Sequence, residues 1–191
     1  IVSVAIKNLS QFGIAGQVRT TTYAYTNHPN GLMASMTVDG PISGSGDAVT
    51  YSYSSQGDLL SVQNSLGHVT QYSNYNAFGR PGRIVGTNGE TTDYVYDSRG
   101  RVVKIRVYVN GGYADTDYAY NGEGLLSGIT TPDGVTTSYF YDAARRLVSE
   151  KRNASGVLAN GASFEEKRYA YDAGSNVTSV STYADNVLKG I

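Results

Sequence analysis

Tyr94-Val95-Tyr96-Asp97-Ser98-Arg99-Gly100-Arg101 decides the fold, because its phrase returns along nearly the whole chain. The phrase is two tyrosines one residue apart, then Asp or Asn, two variable residues and Gly. Taking the second tyrosine or its equivalent in each copy gives Tyr25, Tyr53, Tyr75, Tyr96, Tyr120, Tyr141 and Tyr171. The successive spacings are 28, 22, 21, 24, 21 and 30 residues, so most copies share one length and two carry insertions. A period of about 20 to 50 residues marks an array of like supersecondary units.

Within each copy the chemistry is that of two strands and two turns. Tyrosines two apart, as in Tyr94 and Tyr96, Tyr118 and Tyr120, Tyr139 and Tyr141, or Tyr169 and Tyr171, share one face of an extended strand and would diverge on a helix. Thr-rich stretches precede them, and Thr, Tyr and Val all suit a pleated, half-buried surface. After the second tyrosine, Asp97 with Gly100, Asn76 with Gly79, and Asn121 with Gly124 fit a type I turn closed by a left-handed glycine. An apolar strand returns from each turn, and a second turn at Asn88-Gly89, Gly111-Gly112 or Pro132-Asp133-Gly134 leads to the next tyrosine strand. Seven such units predict about fourteen antiparallel strands in a meander.

Apolar residues on the return strand fall at the second position after the turn glycine (Leu59, Val102, Leu126, Leu147) and at the fifth (Val62, Ile84, Ile105, Ile129). Those positions have opposite parity. Either both faces of the sheet carry apolar cover, or a bulge shifts the pleat. A twisted sheet of more than about ten strands is expected to curl. The fold class read from the chain is therefore all-β, an antiparallel meander of repeated hairpins forming a curled open sheet. It is taken as a single array over residues 1–191, clearest over 20–183.

Composition removes several function classes. Fifteen basic and sixteen acidic residues leave a net charge of −1, which offers no field to hold a nucleic-acid backbone. There is no Cys, hence no disulfide, thiol chemistry or Cys-ligated metal. No apolar run approaches the roughly 18 residues of a membrane span. The first residue is Ile1, without Met or a basic leader, and the chain reads as an internal piece of a larger protein. Of 17 tyrosines, thirteen stand at the two repeat positions, so the enrichment belongs to the repeat.

The phrase Tyr96-Asp97-Ser98-Arg99-Gly100-Arg101-Val102 resembles the defining phrase of the RHS or YD repeat, with Tyr75-Asn76-Ala77-Phe78-Gly79-Arg80 and Tyr141-Asp142-Ala143-Ala144-Arg145-Arg146-Leu147 as close variants. The resemblance implies a β-strip that spirals into a hollow shell. Such shells are found in bacterial Rhs toxins, the B and C components of insecticidal toxin complexes, wall-associated proteins and teneurins. It also implies a secreted or cell-surface bacterial setting and, as partner, a C-terminal toxin or effector domain of the parent chain. Three departures stand out. Asp is kept only at 97, 142 and 172; Arg145 and Ser175 replace the turn glycine, which questions the last two hairpins; and no Asp-Pro-x-x-Gly-like segment of a self-cleaving core is present.

The residues assigned a structural repeat role are Tyr25, Tyr53, Tyr75, Tyr94, Tyr96, Tyr118, Tyr120, Tyr139, Tyr141, Tyr169 and Tyr171 on strands, and Asn76, Gly79, Arg80, Asp97, Gly100, Arg101, Asn121, Gly124, Asp142 and Asp172 in turns. Arg80, Arg101 and Arg146 are candidates to lie over neighbouring tyrosine rings. No catalytic, cofactor or metal residue is assigned. His28 and His68 lack ligand spacing and read as solvated turn residues. Asp115-Thr116-Asp117 lacks the Gly and Glu of a calcium loop and reads as a polar connector. Gly40 to Gly46 lacks the Lys of a phosphate loop and, like Asn153 to Gly161, reads as an insertion. The remaining expectations are a non-enzymatic role, glycan binding by an aromatic row as the alternative, and edge-to-edge self-association through residues near 1–22 or 172–191.

Overall fold

In the computed structural model, residues 2–7, 14, 16–42, 44, 46–153 and 163–190 are described. The insertion residues Ser43, Ser45 and 154–162 lie outside them. The described chain contains β-strands and no helix, so none is long and apolar enough to cross a membrane. Strands are hydrogen-bonded in chain order from β1 to β16, antiparallel throughout, as an open meander without crossovers.

Two compact units divide the chain, Ile1–Asp93 and Tyr94–Ile191. The first holds β1 (Val2–Lys7), β2 (Val18–Asn27), β3 (Met33–Asp39), β4 (Val49–Tyr53), β5 (Leu59–Asn64), β6 (Val69–Ser73), β7 (Arg83–Val85) and the start of β8 (Thr91–Tyr96). The second holds the end of β8, then β9 (Val102–Val109), β10 (Gly112–Tyr120), β11 (Leu126–Thr130), β12 (Thr136–Tyr141), β13 (Leu147–Asn153), β14 (Phe164–Tyr171), β15 (Val177–Ala184) and β16 (Val187–Gly190). The sixteen described strands exceed the expected fourteen because β1 precedes the first tyrosine strand and β16 follows the last return strand.

The parity conflict is resolved by a bulge. Tyr120 faces Leu126 and Ala119 faces Gly128, so Ser127 is the extra residue, and Tyr118 then faces Ile129. Both apolar positions thereby join the tyrosine face. The same slip places Leu59 and Val62 opposite Tyr53 and Tyr51, and Val177 and Val180 opposite Tyr171 and Tyr169. One extra residue restores in-phase apolar cover that strict alternation would split between faces.

Both kinds of hairpin use one five-residue turn. The amide of the first residue donates to the carbonyl of the fifth, and the amide of the fourth donates to the carbonyl of the first. Asp97 to Arg101 does this at 2.9 and 2.9 Å, and Asn64 to His68, in a second-type turn, at 3.1 and 3.0 Å. The fourth residue is left-handed, as Gly100 shows with φ 75°. Two links differ. Asn110-Gly111 and Asp185-Asn186 are two-residue turns with both residues at positive φ. The expected turn at Gly111-Gly112 thus lies one residue earlier.

Packing is thin. Ala184 is the buried apolar side chain and Ser149 the buried polar one, each 8% exposed, and no large side chain among the described residues is wholly removed from water. Stability must therefore come from cross-strand pairs and hairpin neighbours rather than a central core.

Candidate functional site

The repeat residues assemble into a built feature, a row of tyrosines locked to the backbone of the preceding repeat. Tyr75 Oη donates to the Leu59 carbonyl at 2.5 Å, Tyr120 to Val102 at 2.9 Å, Tyr141 to Leu126 at 2.8 Å and Tyr171 to Leu147 at 2.7 Å. The acceptor is each time the second residue after the left-handed turn position of the previous repeat. Every bond spans one hairpin, so it fixes where a tyrosine strand sits against the return strand before it. A half-buried phenol with its hydroxyl paired contributes both area and a hydrogen bond. Burial pushes the Tyr75, Tyr139 and Tyr169 phenols up.

The turns form a second row. In Asp97 to Arg101 the carboxylate accepts from the Arg99 and Arg101 amides at 2.9 and 2.9 Å, and holds the Arg101 guanidinium through Nε at 2.8 Å and Nη2 at 2.6 Å. Asp142 does the same to Arg146, at 2.9 Å to the amide and 2.7 Å to Nε and Nη2. Those guanidinium groups then lie over the next tyrosine: Arg101 is 4.2 Å from the Tyr120 ring centre and Arg146 4.7 Å from that of Tyr171. Asn76 and Asn121 keep the cap alone, accepting from the turn amides at 2.9 and 3.1 Å, and at 3.1 and 2.9 Å. The turn amides and the paired side chains hold the Asp97, Asp142 and Asp172 carboxyls below the usual aspartate range.

Arg145 and Ser175 do not break their hairpins. They take φ of 63° and 65° and make the same turn hydrogen bonds, Arg145 to Asp142 at 2.9 Å and Ser175 to Asp172 at 3.1 Å.

The first repeat is phased differently from the sequence reading. Its turn runs from His28 to Leu32, with bonds of 2.8 and 2.9 Å, and Asn27 faces Met33 across the bulge. Asn27 therefore holds the second-tyrosine slot and Tyr25 the first. In the third repeat Tyr72, opposite Ile84, is the first tyrosine, and Asn74 at φ 58° is an inserted residue before Tyr75. Counting back from Gly31, rather than forward from paired tyrosines, recovers the first assignment, whereas Tyr72 emerges only from its pairing with Ile84.

His28 is more than a solvated turn residue. It is half-buried, and its Nε2 lies 2.9 Å from the Tyr53 carbonyl, while Asn30 Nδ2 donates to Ser55 O at 2.8 Å. These ties join the first turn to the second. His68 is exposed and lies 3.4 Å from Asn64 Nδ2.

Asp115 and Asp117 are not in a connector. They stand on β10 opposite Arg106 and Lys104 of β9. Asp115 accepts from Arg106 Nε and Nη2 at 2.7 and 2.7 Å and from Lys104 Nζ at 3.1 Å, and Lys104 reaches Asp117 at 2.9 Å. Arg106 and Lys104 hold the Asp115 carboxyl far below its ordinary range. In the first compact unit Arg83 and Asp93 make a like cross-strand pair at 2.6 and 2.7 Å. These charges lie on the face opposite the tyrosines, with the exposed middle residues Val95 and Phe140. Among the described residues no group of three or more His, Asp or Glu side chains is arranged to hold a metal.

The family model of the teneurin YD-shell matches residues 4–160. No curated protein sequence matches the chain. The crystal structure of TcdB2-TccC3 aligns with 89% of this chain at 18% identity and a TM-score of 0.62. The same complex without its hypervariable C-terminal region aligns with 89% at 17% identity and a TM-score of 0.64. The Photorhabdus luminescens Tc holotoxin pore aligns with 99% at 15% identity and a TM-score of 0.51. This chain spans 10%, 9% and 13% of those chains' lengths. At such identities the likeness establishes the fold.

Proposed function

We propose, since this chain belongs to the teneurin YD-shell family, that it is a non-enzymatic strip of a shell wall, a single repeat array whose curled sheet encloses or presents a neighbouring domain. The observation that carries the reading is the row of tyrosine hydroxyls bonded to backbone carbonyls of the preceding repeat. Side chains committed to registering the sheet serve a wall. The same commitment counts against the aromatic row as a glycan platform, because the hydroxyls of Tyr75, Tyr120, Tyr141 and Tyr171 already donate to backbone carbonyls.

The proposed partner, on the repeat resemblance, is a toxin or effector domain C-terminal to the repeats of a longer, secreted chain; the matched TcdB2-TccC3 complex has a hypervariable C-terminal region. Limited proteolysis with mass spectrometry of such a chain tests this. A C-terminal fragment that stays bound and protected, and loses protection when the repeats are truncated, supports enclosure. A freely cleaved C-terminal domain beside intact repeats contradicts it, and selective, tyrosine-dependent signals on a glycan array would replace it with adhesion. The exposed edge strands β1 and β16 give the isolated chain surfaces for edge-to-edge association, and a monodisperse monomer at high concentration by light scattering would oppose that part.

A further inference from the structure

The two hairpins that depart from glycine share a property. Each left-handed side chain reaches back to the turn before it. Arg145 Nε lies 3.6 Å from Glu123 Oε2 of the 121–125 turn, and Ser175 Oγ lies 3.3 Å from Arg146 Nη1 of the 142–146 turn. A non-glycine residue in this backbone region carries a steric penalty, so its occurrence at consecutive turns, with the same directed contact, calls for a compensating interaction.

Arg146 shows what the contact completes. Its Nε and Nη2 hold Asp142, its plane lies over Tyr171, and its remaining Nη1 faces Asp172 O at 3.4 Å and Ser175 Oγ at 3.3 Å. Arg101 repeats the first two arrangements with Asp97 and Tyr120, but its Nη1 is shielded from water and has no hydrogen-bond partner among the described residues. The left-handed residue of the following turn is there Gly124, and a Cβ placed on it would lie 3.5 Å from that same Nη1. The two sites are thus the same clasp with and without its acceptor.

We propose that Ser175, and more weakly Arg145, are inter-repeat clasps, making the turns at 121–125, 142–146 and 172–176 one coupled edge. Both contacts are exposed, but Ser175 meets an Arg146 already held by Asp142 and Tyr171, at 3.3 Å, whereas the Arg145–Glu123 pair is 3.6 Å apart with side chains 65% and 57% exposed, and such pairs contribute little. The clasp is a property of the sheet and does not depend on what the strip encloses.

A double-mutant cycle on the full chain tests it, using urea midpoints of Ser175→Gly, Arg146→Met and the double variant. Glycine relieves the backbone and removes the hydroxyl, so Ser175→Gly should leave the midpoint unchanged or lower it in the parent, yet raise it in Arg146→Met. The same shift in both backgrounds, of either sign, overturns the proposal. A second pair stays informative if Arg146→Met fails to fold. Gly124→Ser should unfold at a higher midpoint than Gly124→Ala, with the gap lost in Arg101→Met; equal midpoints for the serine and alanine variants overturn it.

Discussion

The compact unit over residues 1–93 and the one over 94–191 build the same hairpin turn from different chemistry. In the first, the capping position is His28, Ser54 or Asn76, all without a formal carboxylate; Ser54 Oγ, for example, accepts from the Gln56 and Asp58 amides at 3.2 and 3.1 Å. In the second it is Asp97, Asn121, Asp142 or Asp172. The backbone bonds are alike in both, between 2.7 and 3.1 Å. The turn thus needs an oxygen cap or backbone pairing and a left-handed fourth residue, while the carboxylate adds something separable: a grip on Arg101 or Arg146 and, through it, on the next tyrosine.

The largest expected effect tests what the units share. Tyr75→Ala and Tyr120→Ala should each cost about 3 kcal/mol in chemical denaturation, because each removes a half-buried ring and its carbonyl bond. A cost twice as large in one unit would break the equivalence. Next comes the turn backbone. Gly79 has φ 69° with nothing near an added Cβ, so Gly79→Ala should cost about 1 to 2 kcal/mol from conformation alone. Removing only the hydroxyl, as in Tyr141→Phe, should cost about 1 kcal/mol, measured the same way.

Acidification separates the units. The Asp97, Asp142 and Asp172 carboxyls sit below their ordinary value of 3.8 in the folded chain, so the stability they contribute is complete above that value and is lost as pH falls through the folded values. Hydrogen exchange should therefore show residues 94–191 losing protection progressively from about pH 4 downward, ahead of the turns at 28–32, 54–58 and 76–80. Equal loss in both units would contradict the assignment. The smallest effect is expected from Asp142→Asn, which keeps an acceptor for the Arg146 amide and should chiefly flatten this pH dependence near the 142–146 turn.

How far the sequence foretold this follows from the range of each interaction. Turns and strand faces were legible because Asp97 to Gly100 and Tyr94 to Tyr96 act within a few residues. The bulge announced itself as the parity conflict between Leu126 and Ile129, though the pattern did not say which solution held. The charge ladder was missed through a one-residue turn error: a turn at Gly111-Gly112 would not set Asp115 against Arg106, whereas Asn110-Gly111 does. The phase of the first repeat was missed because Tyr23 and Tyr25 mimic a full pair when Asn27 fills the second slot. The tyrosine-to-carbonyl bonds, 15 to 24 residues apart in sequence, had no local signal.

The central claim is that repeats are held by their neighbours through the tyrosine bonds, which makes stability a local property of the strip. Native-state hydrogen exchange of Tyr141→Phe against the parent chain tests it most directly. Protection is expected to fall in β11, β12 and the adjoining return strand β13, while β2 to β5 keep theirs. A uniform loss from β2 to β15 would contradict it.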